Sequence, residues 1–427
     1  MGKNDTAWEA LFDKYNILSE INSTGRFKIS ASQIKEYREP RLMTKFDHRE
    51  NLPEIFKQYN LAILPISRGD YLISSFYAYE DLCSLDDMQP IPIQVPDYLQ
   101  TLIPKYIVSE AIALNFADAA GILSNFLDDD ELASTVNGRM GSNCFDFYIG
   151  SNIGNQLVSV NNSQVEIDAA YEGLNYLSLL EAKRDMSSTD FLIRQLYYPY
   201  RLWMNRVSKQ VKTVFFIYSN GDFRLYEYLF NEPEYYNSLQ LVKCQRYVIA
   251  AGITLTDIQN IIYNIQIEAE PEIPFPQADS MTRVVNLLEL LVGNDMSKQD
   301  ITTNYGFDER QTNYYTAAGK YLGLIENYQN QNTKEIVFSL TPLARKILSS
   351  SYREKQLELI KCILQHKVFN DVMKAYLLYG EMPERSHIIN LMKNDSLYNV
   401  NSDSTYSRRA STVSGWLNWI VSLCELE

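Results

Sequence analysis

The chain has 427 residues, 46% hydrophobic and 22% charged, a composition that provides more than one buried core and leaves no apolar run near the roughly 18 residues of a membrane span. Five scattered cysteines without a Cys-x-x-Cys pair and only three histidines argue against a zinc ribbon, a disulfide framework or a histidine metal centre. The net charge of −14 runs against nucleic-acid binding, yet residues 281–427 carry 16 Lys/Arg and 16 Asp/Glu, so the acidic excess belongs to the first 280 residues.

The polar start, Met1 to Tyr15, lacks the apolar stretch of a signal peptide, and a cytoplasmic location is expected. Residues 1–95 read as an N-terminal recognition or accessory region. Its densest basic stretch, Arg38 to Arg49, includes Arg41, Lys45 and Arg49 and suits phosphate contact, or serves only as a solvated loop. The proline-spaced segment 89–96 marks a break.

Residues 96–267 read as mixed α/β. Helical spacing runs from Tyr106 to Leu127, and strand alternation runs over Phe145–Ile149 and Gln164–Glu172. After the turn at Gly173, Tyr176–Ala182 reads as a strand paired with the one before. Ser187 and Ser188 are caps for a helix over Thr189–Val207 with Asp190 in its first turn. Thr213–Tyr218 and Phe223–Tyr228, joined by Asn220 and Gly221, predict a hairpin with a two-residue type I′ turn.

Residues 268–280, with three prolines and three glutamates, read as a semi-extended linker. Beyond it, residues 281–345 predict a helix over Arg283–Val292, a second capped at Ser297, a turn at Tyr305–Phe307, a third helix capped at Asp308, and a hairpin over 325–340 with Asn330 near its tip. Three helices and a hairpin are the order of a winged helix. Residues 346–427 predict a second helical unit, a winged helix or a plain helical domain, with helices near 369–379, 384–393 and 404–420.

Chemistry concentrates at Asp168 on one strand and at Glu181, Ala182 and Lys183 on the next. Residues two apart on a strand face the same side, so Glu181 and Lys183 project together, with Asp168 approaching from the paired strand. Two carboxylates and the Ala182 carbonyl form an all-oxygen site suited to Mg²⁺. Lys183 then orients or deprotonates an attacking water, or stabilises charge on phosphorus. A solvated Glu–Lys pair is the plain alternative, but the preceding Leu177, Leu179 and Leu180 imply a buried strand, where charges are costly unless paired or metal-bound.

Asp168, twelve intervening residues and Glu181-Ala-Lys183, followed by Arg194, Gln195 and the Asn220–Gly221 hairpin, resemble the PD-(D/E)XK nuclease superfamily, and type II restriction endonucleases within it. The resemblance covers roughly residues 105–230. The proline that often precedes the first aspartate is replaced by Ile167. The resemblance implies a mixed sheet flanked by helices, Mg²⁺ held by Asp168, Glu181 and Ala182, and catalytic roles for Lys183 and Gln195. Glu110 is the candidate upstream acid, with Glu166 a rival ligand, and Arg194 is placed to touch phosphate or to pair with a carboxylate. It further implies double-stranded DNA as substrate, a homodimer to cut both strands and a cognate methyltransferase. Arg310, Gln311 and Asn313 on the third C-terminal helix, and Arg408 and Arg409 on the last, have side chains of the types that read bases or phosphates. A PD-(D/E)XK repair or recombination nuclease and a winged-helix regulator with a non-catalytic core are the other readings.

Overall fold

Two strands, Gln164–Glu172 and Tyr176–Lys183, pair antiparallel where the alternation predicts and lie within a seven-stranded mixed sheet flanked by helices. In the computed structural model, residues 2–86, 88–96, 98–103, 107, 109–184, 186, 189–305, 309–331 and 333–424 are described. In chain order the sheet comprises β1 (Ile91–Ile93), β2 (Ala133–Gly141), β3 (Gln164–Glu172), β4 (Tyr176–Lys183), β5 (Gln210–Ser219), β6 (Asp222–Phe230) and β7 (Leu239–Ile249). Its spatial order is β1-β7-β6-β5-β4-β3-β2, parallel at β1–β7 and β4–β5 and antiparallel elsewhere.

Both faces of the sheet are covered, which is why β4 and β5 read as nearly continuous apolar runs. Leu177, Leu179, Phe215 and Ile217 pack against helix α2 (Arg194–Trp203) and the outer hairpin Cys144–Ile149/Gln156–Asn161. Leu180, Ala182, Val214 and Phe216 face helix α1 (Glu110–Ala119). The long helix expected over Tyr106–Leu127 starts only at Glu110, capped by Ser109, and breaks at Gly121 (φ +74°) before resuming over Ile122–Leu127; Tyr106 lies outside the described residues.

Two expectations change. The proline-spaced segment contains an edge strand, β1, where Pro92 costs little ladder bonding, so residues 75–95 belong with the sheet. Asp190 is not in a helix: Asp190–Leu192 pairs with Tyr79–Asp81, and α2 begins at Arg194. The expected caps Ser187 and Ser188 lie outside the described residues. The N-terminal unit is therefore residues 3–74, short helices around the sheet Phe27–Ser30, Asp70–Ser74 and Ala62–Pro65, with Trp8, Phe12 and Phe56 in its core.

Residues 268–280 are extended but docked. Phe275 stacks on Phe369 at 5.6 Å, and the Ala278 carbonyl accepts from Trp416 Nε1 at 2.7 Å. Beyond them come α3 (Met281–Leu291), α4 (Lys298–Tyr305), α5 (Glu309–Tyr321) and the hairpin Ile325–Gln329/Ile336–Leu340, joined by the two-residue strand Met296–Ser297. The Ser297 cap is present, its Oγ accepting from the Asp300 amide; Asp308 and the turn at 306–307 lie outside the described residues. Residues 342–424 add five helices, among them α6 (Arg385–Lys393) and α7 (Asp403–Ser422), with no strand among the described residues. One hydrophobic cluster runs from Ala251 to Ile420, so 281–345 and 346–427 share a core instead of forming two units. No helix among the described residues is long and apolar enough to cross a membrane.

The β5–β6 hairpin joins this lobe to the sheet. Asn220 (φ +47°) and Gly221 (φ +77°) form the expected turn with two positive φ values. The Asn220 amide donates to Glu289 at 3.1 Å, its carbonyl accepts from Tyr352 Oη at 3.0 Å, and its side-chain oxygen accepts from Gln356 at 2.8 Å.

Candidate active site

The β3–β4 ladder ends at the pair Ala169–Leu180. On its other edge β3 has one residue more than β2 between Ala170 (opposite Val136) and Ile167 (opposite Gly138), which puts a bulge at Asp168 and Ala169. The Ala182 amide consequently donates to Asp168 Oδ2, at 2.8 Å, and not to a β3 carbonyl.

Glu181 and Lys183 share the α2 face of β4. Glu181 Oε1 accepts from Lys183 Nζ at 2.8 Å and from Gln195 Nε2 at 2.7 Å. Gln195 comes from the first turn of α2, which packs on this face through Leu196 and Tyr197. Lys183 Nζ also donates to Asp47 Oδ2 at 3.3 Å, from the N-terminal unit. Sequence reasoning missed Asp47. It lies inside the basic stretch that drew attention, but its partner is 136 residues away and no local pattern announces the pairing.

Electrostatics follow from burial and close charges. Burial pushes the Glu181 carboxyl up, to about 7, against the pull of Lys183. Burial also raises Asp168, opposed by the Ala182 amide and Lys183. For Lys183 burial disfavours the ammonium, but Glu181 and Asp47 outweigh it and raise its pKa. Burial works against the Asp47 carboxylate too, yet Lys183 and Lys45 hold it down to about 2. Glu110, exposed on the first turn of α1, is raised by desolvation and lies within electrostatic range of Lys183 and Glu181. Glu166 is exposed, pairs with Arg139 at 3.1 Å, and its charge helps to raise Asp168.

Among the described residues no three His, Cys, Asp or Glu side chains converge as a ready-made metal cage. Mg²⁺ does not require one, since it keeps several waters and binds through one or two carboxylates. The hydrogen bonds of Asp168 and Glu181 fall on Oδ2 and Oε1 and leave Oδ1 and Oε2 for such an ion. Gln195 Oε1 and Asp47 Oδ1 are buried acceptors without a hydrogen-bond donor. An oxygen-only donor set with orphaned acceptors beside it suits a hard cation.

The other predicted residues separate into groups. Lys45 is exposed and 4.0 Å from Asp47, and Arg41 is exposed on the short helix Pro40–Thr44. Arg49 is a strut: it pairs with Asp81 and Asp190 and donates to the Tyr79 carbonyl, tying the N-terminal unit to the sheet domain. Arg194 stands over the Tyr198 ring at 5.7 Å and adds to the field that keeps Asp47 ionised. Arg310 and Asn313 are exposed on α5, with Gln311 half-buried between them. Arg408 is exposed on α7; Arg409 is half-buried, with Nε and Nη1 unpartnered and its pKa lowered by burial and by Arg408. Tyr314 acts on Arg409 electrostatically, so the α5 and α7 patches are neighbours.

Comparison with known proteins finds three family profiles, each described as a domain of unknown function: DUF6996 over residues 5–73, DUF6997 over 74–248 and DUF7226 over 283–425. Their limits follow the N-terminal unit, the sheet domain and the C-terminal lobe. No curated protein matches the chain, and no solved structure does.

Proposed function

We propose that the chain is a Mg²⁺-dependent endonuclease of the PD-(D/E)XK type, hydrolysing double-stranded DNA at a specific sequence as type II restriction endonucleases do. The observation that carries this reading is the buried cluster at the opened end of β3 and β4. There Asp168 holds the Ala182 amide, and Glu181 and Lys183 share a face. Such a cluster is costly to bury without a bound charge to serve.

Asp168, Glu181 and the Ala182 carbonyl would hold Mg²⁺, with Glu110 as a further acid; bound there, the ion would acidify a water and clamp the scissile phosphate. Lys183 stays an ammonium, since its carboxylate partners raise its pKa. Its role is therefore to position water and offset charge on phosphorus, rather than to take a proton. Gln195 fixes the rotamer of Glu181 by holding Oε1. The helix–strand–helix–helix–hairpin order of residues 281–340 supports a winged-helix reading, with Arg310 and Asn313 exposed toward a DNA groove. A homodimer would supply two active sites for a symmetric target, and a partner methyltransferase would protect host DNA.

One observation favours a second reading. Lys183 sits between Asp47 and Glu181 as a closed ion-pair network, which suits a non-catalytic core in a DNA-binding regulator. Unmethylated phage DNA incubated with protein and Mg²⁺ separates the readings. Discrete fragments abolished by EDTA support a restriction enzyme, a smear supports a repair nuclease, and intact but retarded DNA supports the regulator.

A further inference from the structure

A cleft of about 590 Å³ lies between the sheet domain and the C-terminal lobe. It is lined by three arginines from three elements: Arg224 of β6, Arg283 of α3 and Arg385 of α6. Hydroxyls of Ser280, Thr282 and Ser411 stand among them. Ser280 caps α3, its Oγ accepting from the Arg283 amide at 3.3 Å, so the positive end of an 11-residue helix opens beside the cleft.

Three arginines and two carboxylates, Asp86 and Asp279, line the cleft. Arg224 pairs with Asp86 at 2.8 Å and with Asp222, which Arg246 shares. Asp279, the other lining carboxylate, accepts from Tyr315 at 3.5 Å. Among the described residues the exposed Arg385 makes its hydrogen bonds through Nη2 alone, to the Ser407 carbonyl and Ser411 Oγ, and the buried Nε of Arg224 has no partner. In a chain of net charge −14, this concentration of guanidinium is unusual.

We propose that this cleft is a binding site for a phosphate ester, sized for a single nucleotide. Guanidinium forks with clustered hydroxyls match the three acceptor oxygens of a phosphate, and the helix terminus adds a favourable field. The volume falls within the range of small-ligand sites. The cleft is also a neighbour of the candidate active site. Register places Lys183 opposite Ile217 and Ile217 opposite Arg224, so Lys183 and Arg224 share a row and a face two strands apart. That separation is roughly 10 Å. Met186, three residues beyond Lys183, lines the cleft and donates from its amide to Asn286 of α3 at 3.4 Å. The phosphate thus belongs either to a free nucleotide or to a nucleic-acid strand passing the active site. The binding itself does not depend on the nuclease reading.

Calorimetric titration of the full chain in EDTA, which prevents metal-dependent cleavage, tests the proposal with three probes: 5′-deoxyadenylate, a six-nucleotide single strand and deoxyadenosine. At least one phosphate-bearing probe binds and deoxyadenosine does not. Arg385→Ala weakens that binding about ten-fold or more, as loss of a charge-assisted fork implies. Ser414→Glu, which puts a carboxylate on the α7 wall, abolishes it. Binding of deoxyadenylate assigns the site to free nucleotides, and binding of the strand alone assigns it to nucleic acid. The proposal is overturned if neither phosphate-bearing probe binds, if deoxyadenosine binds as well, or if both folded variants bind like the wild type.

Discussion

Asp168 Oδ2 accepts the Ala182 amide at 2.8 Å, immediately past the last ladder pair of their two strands. A carboxylate stands where a backbone carbonyl would otherwise be, so the site is built into the end of a sheet ladder. Asp168→Asn keeps an acceptor for this amide and removes the charge. We expect thermal unfolding to shift by no more than about 1 kcal/mol, while DNA cleavage falls by about 10² or more. A fully active Asp168→Asn protein would remove Asp168 from the chemistry.

Lys183 is held from two sides, by Glu181 at 2.8 Å and Asp47 at 3.3 Å. Removing Asp47 leaves a buried ammonium with one counter-charge. Asp47→Ala is expected to cost about 3 kcal/mol of stability, as breaking one side of a buried pair does. A double-mutant cycle with Lys183→Ala should show coupling of about 1–3 kcal/mol by denaturant unfolding. Additive single and double variants would mean that the contact is incidental.

His366 is buried and stacked on Tyr321 at 4.2 Å, and desolvation holds its imidazole down to about 4 from an ordinary 6.5. Above pH 6.5 the ring is neutral whether the chain is folded or unfolded, and its site costs nothing. As pH falls from 6.5 to 4 the unfolded chain takes the proton first, so about 3 kcal/mol of stability is lost. Nearby Glu270, raised by burial to about 7, acts in the opposite direction: its contribution is present at low pH and lost as pH rises through 7. Comparing His366→Phe with wild type isolates the histidine. The variant's stability should fall less between pH 7.5 and 4.5, and equal losses would contradict the assignment.

Gly221 carries the hairpin turn at φ +77°, and a Cβ there would lie 2.6 Å from Tyr352 Oη. Gly221→Ala therefore combines backbone strain with a clash at the junction with the C-terminal lobe. A loss of about 2–3 kcal/mol is expected by thermal unfolding. An unchanged midpoint would show that the junction adapts freely.

Local chemistry made some of this legible. Period-2 alternation located β3 and β4, Asn220–Gly221 announced its hairpin, and same-face spacing paired Glu181 with Lys183. Contacts between distant segments were not legible. Asp190 reads as a helix-start residue, yet its strand pairs with Tyr79–Asp81, more than a hundred residues earlier, and its carboxylate anchors Arg49. Arg49 itself reads as a phosphate contact because its carboxylate partners are remote in the chain. The C-terminal helices read as a separate unit because sequence spacing does not reveal that Phe275, Phe369 and Trp416 stack in one core.

The central claim is tested most directly by single-turnover cleavage of DNA known to contain a cut site, with wild type and Lys183→Ala compared in Mg²⁺ and in EDTA. Binding is followed in parallel by gel retardation. The account predicts cleavage by wild type in Mg²⁺ alone, and a Lys183→Ala protein that still binds DNA but cuts at least about 10² more slowly. Equal cleavage by the two proteins would contradict it, as would cleavage that persists in EDTA.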